Sequence, residues 1–350
     1  MKLPAGKVPP KILEEIVFSH LGAKRSEVTV GPSYGMDGAV VDVGSKSIVT
    51  SMDPITGALE RIGWIALNIN ANDVATFGIQ PAFFSSCLLL PEDSTEETVK
   101  TICGQIHLGA KKLSMAVIGG HSETTPKLPF PIVVGCCMGI TNKGHYVTAK
   151  DAKAGNLLIL TKSAGLEGTA ILAADRHAIL ATKIEASTLK KAEKFFNHIS
   201  IVKEATLAFK TGYVTAMHDP TEGGIAGGIH ELADASKLGF KVYEDKIRIA
   251  EETLKICDFF QIDPLQLIAS GSLMIAVEKG CGEKVVEVLE GNKIAAAVIG
   301  ELLSSPKKRF IIRRDGEVED LVRPLSDHLW LALKKKRSTC SSIKGFSSRI

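Results

Sequence analysis

Residues 35–53 read GMDGAVVDVGSKSIVTSMD, and this stretch decides the architecture of the first part of the chain. Two runs rich in valine, isoleucine and threonine, 38–43 and 47–52, flank a short loop at 44–46. Such runs on either side of a short loop that contains glycine predict a β-hairpin. We therefore expect the chain to open with an antiparallel pair of strands.

The register of this hairpin has a chemical consequence. A three-residue loop pairs Val43 with Ser47, and the same register places Asp37 opposite Asp53. Opposed strand residues have Cβ atoms about 4.5–5.5 Å apart, and like charges there are destabilising. A cation or a raised pKa relieves the repulsion, and Mg²⁺ prefers oxygen ligands. The alternative is a two-residue loop, which shifts the register and leaves each Asp as a polar residue at a strand end.

The composition limits the class of protein. A chain of 350 residues is long enough for about two domains. Its hydrophobic share of 45% and charged share of 23% are those of a globular protein. Apolar runs such as 131–140 are far shorter than the roughly 20 residues of a membrane span. The net charge of +3 argues against nucleic acid as the main partner.

Cysteine usage and the N-terminus point to a compartment. The seven cysteines form no C-x-x-C pair, and the adjacent Cys136 and Cys137 sit in an apolar run. We interpret them as reduced core residues. Residues 1–10 carry proline and lysine instead of an apolar signal core. We therefore expect a cytoplasmic protein with no membrane partner.

Strand-like and helix-like patterns alternate along the chain, which predicts an α/β (α+β) fold in two domains. The small, polar segment 148–155 marks the boundary, so the domains are predicted at 1–150 and 151–333. Residues 334–350 contain four consecutive basic residues and five serines, which predicts a disordered tail. The predicted helices are 61–77, 96–113, 167–175, 189–210 and 221–236, and the later predicted strands are 115–118, 132–140, 156–161, 272–277 and 295–299.

An acid continues the apolar stripe of the first long predicted helix. Ile62, Ile65, Ile69 and Asp73 follow one another at spacings of three or four residues. A buried carboxylate is costly unless it is paired, protonated or bound to a metal. Asp73 is therefore a candidate ligand, and the alternative is a solvated side chain or one held by Asn72 or Thr76.

A second candidate follows the predicted strand 115–118. Gly119 and Gly120 allow close approach of the backbone to a ligand, and His121 and Glu123 are expected to project beyond them. These two side chains can bind a metal or move a proton. A lone His-x-Glu in a loop is more often surface decoration, so both interpretations stay open.

Two glycine-rich segments lie in the second half. Asp219-Pro220-Thr221-Glu222-Gly223-Gly224 has the pattern of a helix N-terminus with a capping box. Glycines inside a helix cost about 1 kcal/mol each relative to alanine, so something approaches this backbone closely: an anionic phosphate or a tightly packed sheet. Lys162 follows a predicted strand and precedes a glycine turn, but neither a P-loop nor a G-x-G-x-x-G pattern is present.

Taken in order, five motifs resemble the aminoimidazole ribonucleotide (AIR) synthase superfamily. These motifs begin at Gly35, Ser51, Asn72, Gly119 and Asp219, and the likeness runs from about residue 5 to about residue 330. The superfamily includes AIR synthases, HypE hydrogenase maturation factors, thiamine-monophosphate kinases and selenophosphate synthetases. Residues 3–9 and 270–272 are most similar to an archaeal, HypE-like branch.

The resemblance implies an N-terminal domain that dimerises through its sheet into a barrel, a C-terminal α/β domain, and ATP bound in the cleft with Mg²⁺. It assigns Asp37, Asp53 and Asp73 to the metal and phosphate positions. His121 and Glu123 become the candidates for proton transfer. The remaining candidates for nucleotide binding are Asn72, Gly119, Gly120, Lys162, Asp219, Thr221, Glu222, Gly223 and Gly224.

The sequence also departs from the relatives. HypE proteins end on a reactive cysteine after Pro-Arg-Ile, whereas this chain ends Ser-Ser-Arg-Ile with Cys340 ten residues from the end. Selenophosphate synthetases need a reactive residue near the N-terminus, and no cysteine precedes Cys87. The thiamine kinases' extra acids are absent. We therefore expect a homodimeric, Mg²⁺-dependent ATP-using enzyme, similar to a ligase or phosphotransferase, that phosphorylates or activates a small amide or carbonyl oxygen. The alternative is a non-catalytic nucleotide-binding maturation partner, for example in hydrogenase assembly, and the acceptor, a small molecule or a protein thiol, stays open.

Overall fold

A computed structural model of the chain describes residue 3, residues 6–56 and residues 59–334. Apart from Lys334, the predicted tail 334–350, with Cys340, lies outside the described residues. The described chain contains two separate sheets, one of six strands and one of seven. The predicted boundary at residues 150 and 151 lies between the last strand of the first sheet and the first strand of the second.

The first sheet has the strand order β1-β2-β3-β6-β4-β5, in which β4 and β5 alone are parallel. Its strands are β1 (Val28–Val30), β2 (Ala39–Val43), β3 (Lys46–Ile55), β4 (Pro81–Leu90), β5 (Ala116–Thr124) and β6 (Ile132–Asn142). Its helices are α1 (Pro10–Ile12), which continues as a π-helical turn (Leu13–Val17), α2 (Ile62–Ala75) after a 3₁₀ turn (Leu59–Arg61), and α3 (Glu96–Lys112). The helices predicted at 61–77 and 96–113 are confirmed within two residues at each end.

The predicted hairpin forms, but its register is the alternative one. Val43 pairs with Lys46 across a two-residue loop, and Gly44 adopts a φ of 60°, which glycine tolerates best. Asp37 therefore precedes β2 and is not opposite Asp53, which pairs with Gly135 on β6. The prediction that the hairpin itself opposes the two aspartates was wrong, because a loop shorter by one residue moves every cross-strand pair.

Helix α2 is the centre of the first domain. Every residue in it except Trp64 is buried, because β3, β6 and α3 pack around it. The helix therefore has no single apolar stripe, and Asp73 is buried together with its neighbours. The opposite face of the sheet exposes apolar side chains such as Met52 and Ile140.

Strand β5 differs from its prediction as a buried strand. It forms an edge of the sheet, and every one of its residues is exposed. The segment 119–123 lies inside this strand and is not a turn at its end. A Cβ on Gly120 would lie 2.0 Å from the carbonyl oxygen of Ser86, so Gly120 makes its predicted close approach to the neighbouring strand β4, whereas a Cβ on Gly119 would meet nothing within 4 Å.

The second sheet has the order β13-β12-β9-β11-β7-β10-β8. Its strands are β7 (Leu157–Thr161), β8 (Val214–His218), β9 (Gly239–Tyr243), β10 (Met274–Val277), β11 (Ala296–Leu303), β12 (Arg309–Ile312) and β13 (Val318–Asp320). The helices are α4 (Leu166–Asp175), α5 (His177–Leu180), α6 (Ala186–Glu193), α7 (Val202–Lys210), α8 (Gly224–Ser236), α9 (Glu251–Phe260), α10 (Gly282–Gly291) and α11 (His328–Lys334). Short 3₁₀ turns lie at Ala149–Asp151, Lys194–His198, Glu244–Lys246 and Pro264–Gln266.

Two predicted helices are interrupted or shortened. The helix predicted at 189–210 is divided into α6, a 3₁₀ turn and α7. The Asn72 side chain explains the break, because its Nδ2 donates to the carbonyl oxygen of Ile199 at 2.7 Å and its Oδ1 accepts from the Ile201 amide at 2.9 Å. Backbone groups used in this way are not available to a helical ladder. Asn72 thus connects the two domains.

The helix predicted from Thr221 begins at Gly224, because Gly223 takes a left-handed conformation with a φ of 83° and becomes the N-cap residue. The Gly223 amide donates to Asp327 Oδ2 at 2.6 Å. The capping box predicted for Asp219 and Glu222 is therefore absent. The glycines of α8 allow close packing, since a Cβ on Gly224 would lie 2.5 Å from the Leu267 carbonyl oxygen. No helix among the described residues is long and apolar enough to cross a membrane.

Candidate functional site

A cavity of about 520 Å³ lies between the two domains. It is enclosed by the N-terminal segment, the loop 32–38, β3, the end of α2, the end of β8 and α8. The acidic and basic residues in its lining are Lys7, Asp37, Asp53, Asp73, His218, Asp219 and Glu231. Five carboxyl groups therefore share one cavity with two basic groups, and four of the five were predicted as site residues from the sequence.

Asp73 is buried at the cavity wall. The Ser51 hydroxyl donates to Asp73 Oδ2 at 2.6 Å, and this hydroxyl is the hydrogen-bond partner of the carboxyl group, not Asn72 or Thr76. Burial raises the pKa of Asp73 well above its ordinary value, and the negative charges of Asp53 and Asp219 raise it further. The group is therefore a carboxyl whose ionised form lacks compensation from positive charge.

Asp53 lies on β3, and α2 holds its backbone in place. The Asp53 amide donates to Asn70 Oδ1 at 2.8 Å, and Asn70 Nδ2 donates to the Asp53 carbonyl oxygen at 3.2 Å. Partial burial raises the pKa of the Asp53 carboxyl to about 6, Lys7 opposes this shift, and Asp37 adds to it. Asn70 was not predicted as a site residue. Its signal in the sequence is a polar side chain within an apolar helix.

His218 connects two carboxylates and is itself buried. Its Nδ1 lies 2.8 Å from Asp37 Oδ1, and its Nε2 lies 3.1 Å from Glu231 Oε2. Burial alone lowers the pKa of His218, but the two carboxylates outweigh burial and raise it to about 10. The ring is therefore a doubly donating imidazolium at neutral pH. The positive charge of His218 therefore compensates the negative charge of Asp37.

Lys7 adds the second positive charge at the cavity. Its Nζ lies 3.6 Å from Glu231 Oε1 and donates to Thr221 Oγ1 at 3.1 Å, and its amide donates to Glu222 Oε2 at 2.8 Å. Burial lowers the pKa of Lys7, but Glu231, Asp53 and Asp37 together raise it above its ordinary value. The side chain is about half exposed, so the ammonium group remains accessible from the cavity.

Asp219 is the acid with the fewest partners. It is 1% exposed, and neither carboxyl oxygen has a hydrogen-bond partner among the described residues. Burial raises its pKa to about 8, Asp37 adds to the shift, and His218 and Lys7 oppose it. An orphaned buried carboxyl in a cavity fits a site for a cation. Asp219 was predicted as a nucleotide-binding residue from the family resemblance, whereas the helix cap that its motif predicted does not form.

The chain offers a divalent cation an oxygen-rich lining. The charges of Asp53 and Asp219 raise the pKa of Asp73, and the charge of Asp53 also raises the pKa of Asp219, which is the electrostatic situation that Mg²⁺ relieves. No three His, Cys, Asp or Glu side chains in the described part of the chain are already grouped closely enough to hold a metal ion. The residue types fit Mg²⁺, and binding requires the carboxyl groups to move towards the ion.

The remaining predicted site residues lie elsewhere or at the margin of the cavity. Thr221 lines the cavity, whereas Glu222, Gly223 and Gly224 are not among the lining residues. The β5 residues Gly119, Gly120, His121 and Glu123 do not line it, and His121 Nε2 lies 3.2 Å from Glu123 Oε2 on the open edge of the sheet. Asn72 is occupied by the contact between the domains, and Lys162 lines a different cavity.

Lys7, His218 and Glu231 were not predicted as site residues. His218 directly precedes Asp219, so a His-Asp pair at the end of a strand is a usable signal. Lys7 and Glu231 carry no local signal in the sequence. The partners of Lys7 lie more than 200 residues away along the chain. The partner of Glu231, His218, lies on a different element.

Two α/β domains with a carboxylate-lined cleft between them define the AIR-synthase-like class of proteins. Residues 35–141 match the family model of the AIR synthase related protein, N-terminal domain, and residues 153–313 match that of the C-terminal domain. The chain belongs to the AIR synthase related family, as its motifs predicted.

The curated relatives include a putative hydrogenase formation protein and HypE proteins. The chain is 28% identical to a putative hydrogenase expression/formation protein of Methanocaldococcus jannaschii, over 84% of this chain and 88% of that protein. It is 23% identical to the carbamoyl dehydratase HypE of Bradyrhizobium diazoefficiens, over 77% and 78%. The chain is thus similar to HypE-like proteins over most of their length.

Solved structures share the fold. A chain in the structure of a HypE–HypF complex matches with a TM-score of 0.74 at 21% identity, over 89% of this chain and 99% of that chain. A hydrogenase maturation protein HypE in complex with ATP matches with a TM-score of 0.69 at 18% identity, over 92% and 96%. The two-domain AIR-synthase-like fold is therefore confirmed.

Proposed function

We propose that this chain binds ATP with Mg²⁺ in the cleft between its domains and uses it to phosphorylate or activate a small oxygen nucleophile, such as an amide or carbonyl oxygen. The observation that carries the proposal is a group of three acids with raised pKa values, Asp53, Asp73 and Asp219, in one cavity. Membership of a family with an ATP-bound relative supports the nucleotide.

The acids are the proposed holders of the metal. Asp53, Asp73 and Asp219 would take the ion, while Asp37 is paired with His218 and supports the site from behind. When bound, Mg²⁺ neutralises charge on the phosphates, which is a main source of catalysis in phosphoryl transfer. This set differs from the sequence-based set by the exchange of Asp37 for Asp219.

Lys7 is the proposed phosphate contact of the chain. It is partly exposed, it is positively charged, and it lies beside the acids of the cleft. Lys162, which was predicted for this role, is buried against Glu204 in another cavity. A flexible ammonium suits phosphate as a point charge. We therefore assign the attraction of the nucleotide's negative charge to Lys7.

We also propose a homodimer that forms through the first sheet. Its open face exposes Met52 and Ile140, which are 65% and 49% exposed, and the edge strand β5 exposes Ile118, which is 56% exposed. Exposed apolar side chains of this kind are typical of an interaction site. A second copy on this face would place the β5 residues against the neighbouring chain, which offers His121 and Glu123 a route to a site that they do not reach within their own chain.

Two measurements test the nucleotide proposal. Calorimetric titration of MgATP should give saturable binding to the wild type, and Asp73→Asn should abolish it, whereas Asp93→Asn, at an exposed acid on a loop, should leave it unchanged. Release of phosphate from ATP should then be followed with a panel of small amides and carboxamides. Absence of saturable MgATP binding to the folded wild type would refute the proposal.

The second candidate function is a nucleotide-binding partner in hydrogenase maturation that does not turn ATP over. It is favoured by relatives that are hydrogenase formation proteins and by one relative solved as a complex with another protein. MgATP binding without phosphate release, in the presence of both small acceptors and candidate protein partners, would support this function over the first.

A further inference from the structure

A second cavity of about 520 Å³ lies apart from the acidic cleft and shares none of its lining residues. It is formed by the C-terminal end of α3, the segment after β7, the turn between α6 and α7, and the segments before α9 and β11. Its charged lining residues are Lys112, Lys162, Lys203, Glu204, Arg248 and Lys293. Five cationic side chains therefore surround one carboxylate.

The carboxylate of this cavity, Glu204, already has a cationic partner. Glu204 is buried, and its Oε1 lies 2.5 Å from Lys162 Nζ. Lys162 Nζ also donates to the carbonyl oxygens of His198 at 2.8 Å and Ser200 at 2.7 Å. The Lys162–Glu204 ion pair therefore carries no net charge, and Glu204 Oε1 has no hydrogen-bond partner among the described residues.

The other four cations have no carboxylate partner among the described residues. Lys203 Nζ donates only to the Asn292 carbonyl oxygen at 3.1 Å, and Lys112 Nζ lies 5.3 Å from the centre of the Trp64 ring. Burial lowers the pKa of His198, and the charges of Lys162 and Lys112 lower it further. Positive potential therefore accumulates around a concave site that these exposed cationic side chains line.

The walls of the cavity are apolar. Leu113, Leu166, Phe195 and Ile294 line it beside the cations. A cavity of a few hundred cubic ångströms with apolar walls and a few converging charged groups is typical of a small-molecule site. A flat or extended basic surface, as nucleic acid requires, is a different arrangement.

We propose that this cavity binds a small phosphorylated molecule, with its phosphate held by Arg248, Lys293, Lys203 and Lys112 and an apolar portion against the walls. Arg248 offers the geometry for two parallel hydrogen bonds to phosphate oxygens. This proposal does not depend on the proposed ATP site, because the two cavities share no lining residue.

The test uses the full-length protein and calorimetric titration with pyrophosphate, inorganic phosphate and phenyl phosphate, without Mg²⁺. Pyrophosphate should bind once per chain, and Arg248→Gln/Lys293→Gln should weaken binding at least tenfold. The matched control Lys183→Gln/Lys307→Gln removes two exposed charges elsewhere and should stay within about twofold, a difference worth roughly 0.4 kcal/mol. Lys7→Gln, in the acidic cleft, should also leave binding within about twofold.

Further measurements distinguish a specific binding site from non-specific electrostatic attraction. Phenyl phosphate should bind more tightly than inorganic phosphate because of the apolar walls, and both affinities should fall with added salt. Absence of saturable binding to the wild type, or equal affinity in the Arg248→Gln/Lys293→Gln variant, overturns the proposal. Loss of pyrophosphate binding in Lys7→Gln also overturns it, because the anion would then occupy the acidic cleft.

Discussion

Replacement of Asp219 by asparagine tests the electrostatics of the acidic cleft directly. Asp219 is buried, its oxygens lack partners, and its pKa is raised from 3.8 to about 8. Because the pKa in the fold lies above the pKa in the unfolded chain, the ionised form is disfavoured in the fold. The free energy of unfolding therefore falls as pH rises from about 4 to about 8.

The size of the effect follows from the shift. One pKa unit corresponds to about 1.4 kcal/mol, so the three units from pH 5 to pH 8 correspond to roughly 4 kcal/mol at most. Neighbouring acids share the titration, so we expect about 2–4 kcal/mol. Asparagine abolishes this dependence. The cost of a buried, unpartnered amide is about 1–3 kcal/mol, and it cancels because it is present at both pH values.

The assay is the melting temperature of Asp219→Asn and of the wild type in EDTA at pH 5 and pH 8. At roughly 2 °C per kcal/mol, the difference between variant and wild type should be about 4–8 °C more favourable to the variant at pH 8. Asp93→Asn, at an exposed acid, should show no such change. Added Mg²⁺ at pH 8 should stabilise the wild type more than Asp219→Asn. An Asp219→Asn difference that is equal at the two pH values would refute the reasoning, since Asp219 would then titrate as an ordinary acid.

Four further predictions follow from the structure. Asp73→Asn should keep the fold, as circular dichroism can verify, and abolish MgATP binding by calorimetry; unchanged affinity removes this acid from the site. His218→Asn should lower the melting temperature at pH 7, because two buried carboxylates lose their partner at a cost of about 3–5 kcal/mol, and this loss should shrink as pH rises through about 10, where the wild-type imidazolium itself loses its proton. Light scattering should give twice the chain mass of 37.4 kDa, and Ile118→Lys should shift it to the monomer; a wild-type monomer at micromolar concentration contradicts the dimer. Truncation after Lys334 should leave ATP binding and turnover within about twofold, roughly 0.4 kcal/mol, whereas loss of turnover or a carbamoyl or cyano adduct on Cys340 by mass spectrometry would reinstate chemistry on this thiol.

The hairpin shows how far local patterns reach. Its two strands were predictable, because runs of β-branched residues around a glycine-containing loop allow few other structures. The length of the loop was not, since two-residue and three-residue loops suit the same residues. Gly44 with its positive φ selects the shorter loop, and Asp37 consequently leaves the strand.

Helix ends and breaks depended on tertiary contacts. The segment 189–210 has helical periodicity throughout, but Asn72 takes the backbone groups of Ile199 and Ile201, and the helix is interrupted. Strand β5 was predicted as buried from its apolar residues, yet it lies at an open edge of the sheet. Apolar residues indicate a surface that is buried by packing, but they do not reveal whether the element that packs on it belongs to the same chain.

The sequence alone determined the family, the two-domain α/β fold and four of the acids in the cleft, because motifs, periodicity and acids in apolar contexts are local properties. Only the tertiary structure decided which groups meet those acids. His218 reaches Asp37 across 181 residues, and Lys7 reaches Glu222 across 215. Only the folded chain separates Lys162 from the acidic cleft and places it in a basic cavity of its own. Such pairings follow from how two sheets pack on one another, and the free energy of that packing is distributed over the whole core and not over any short stretch of residues.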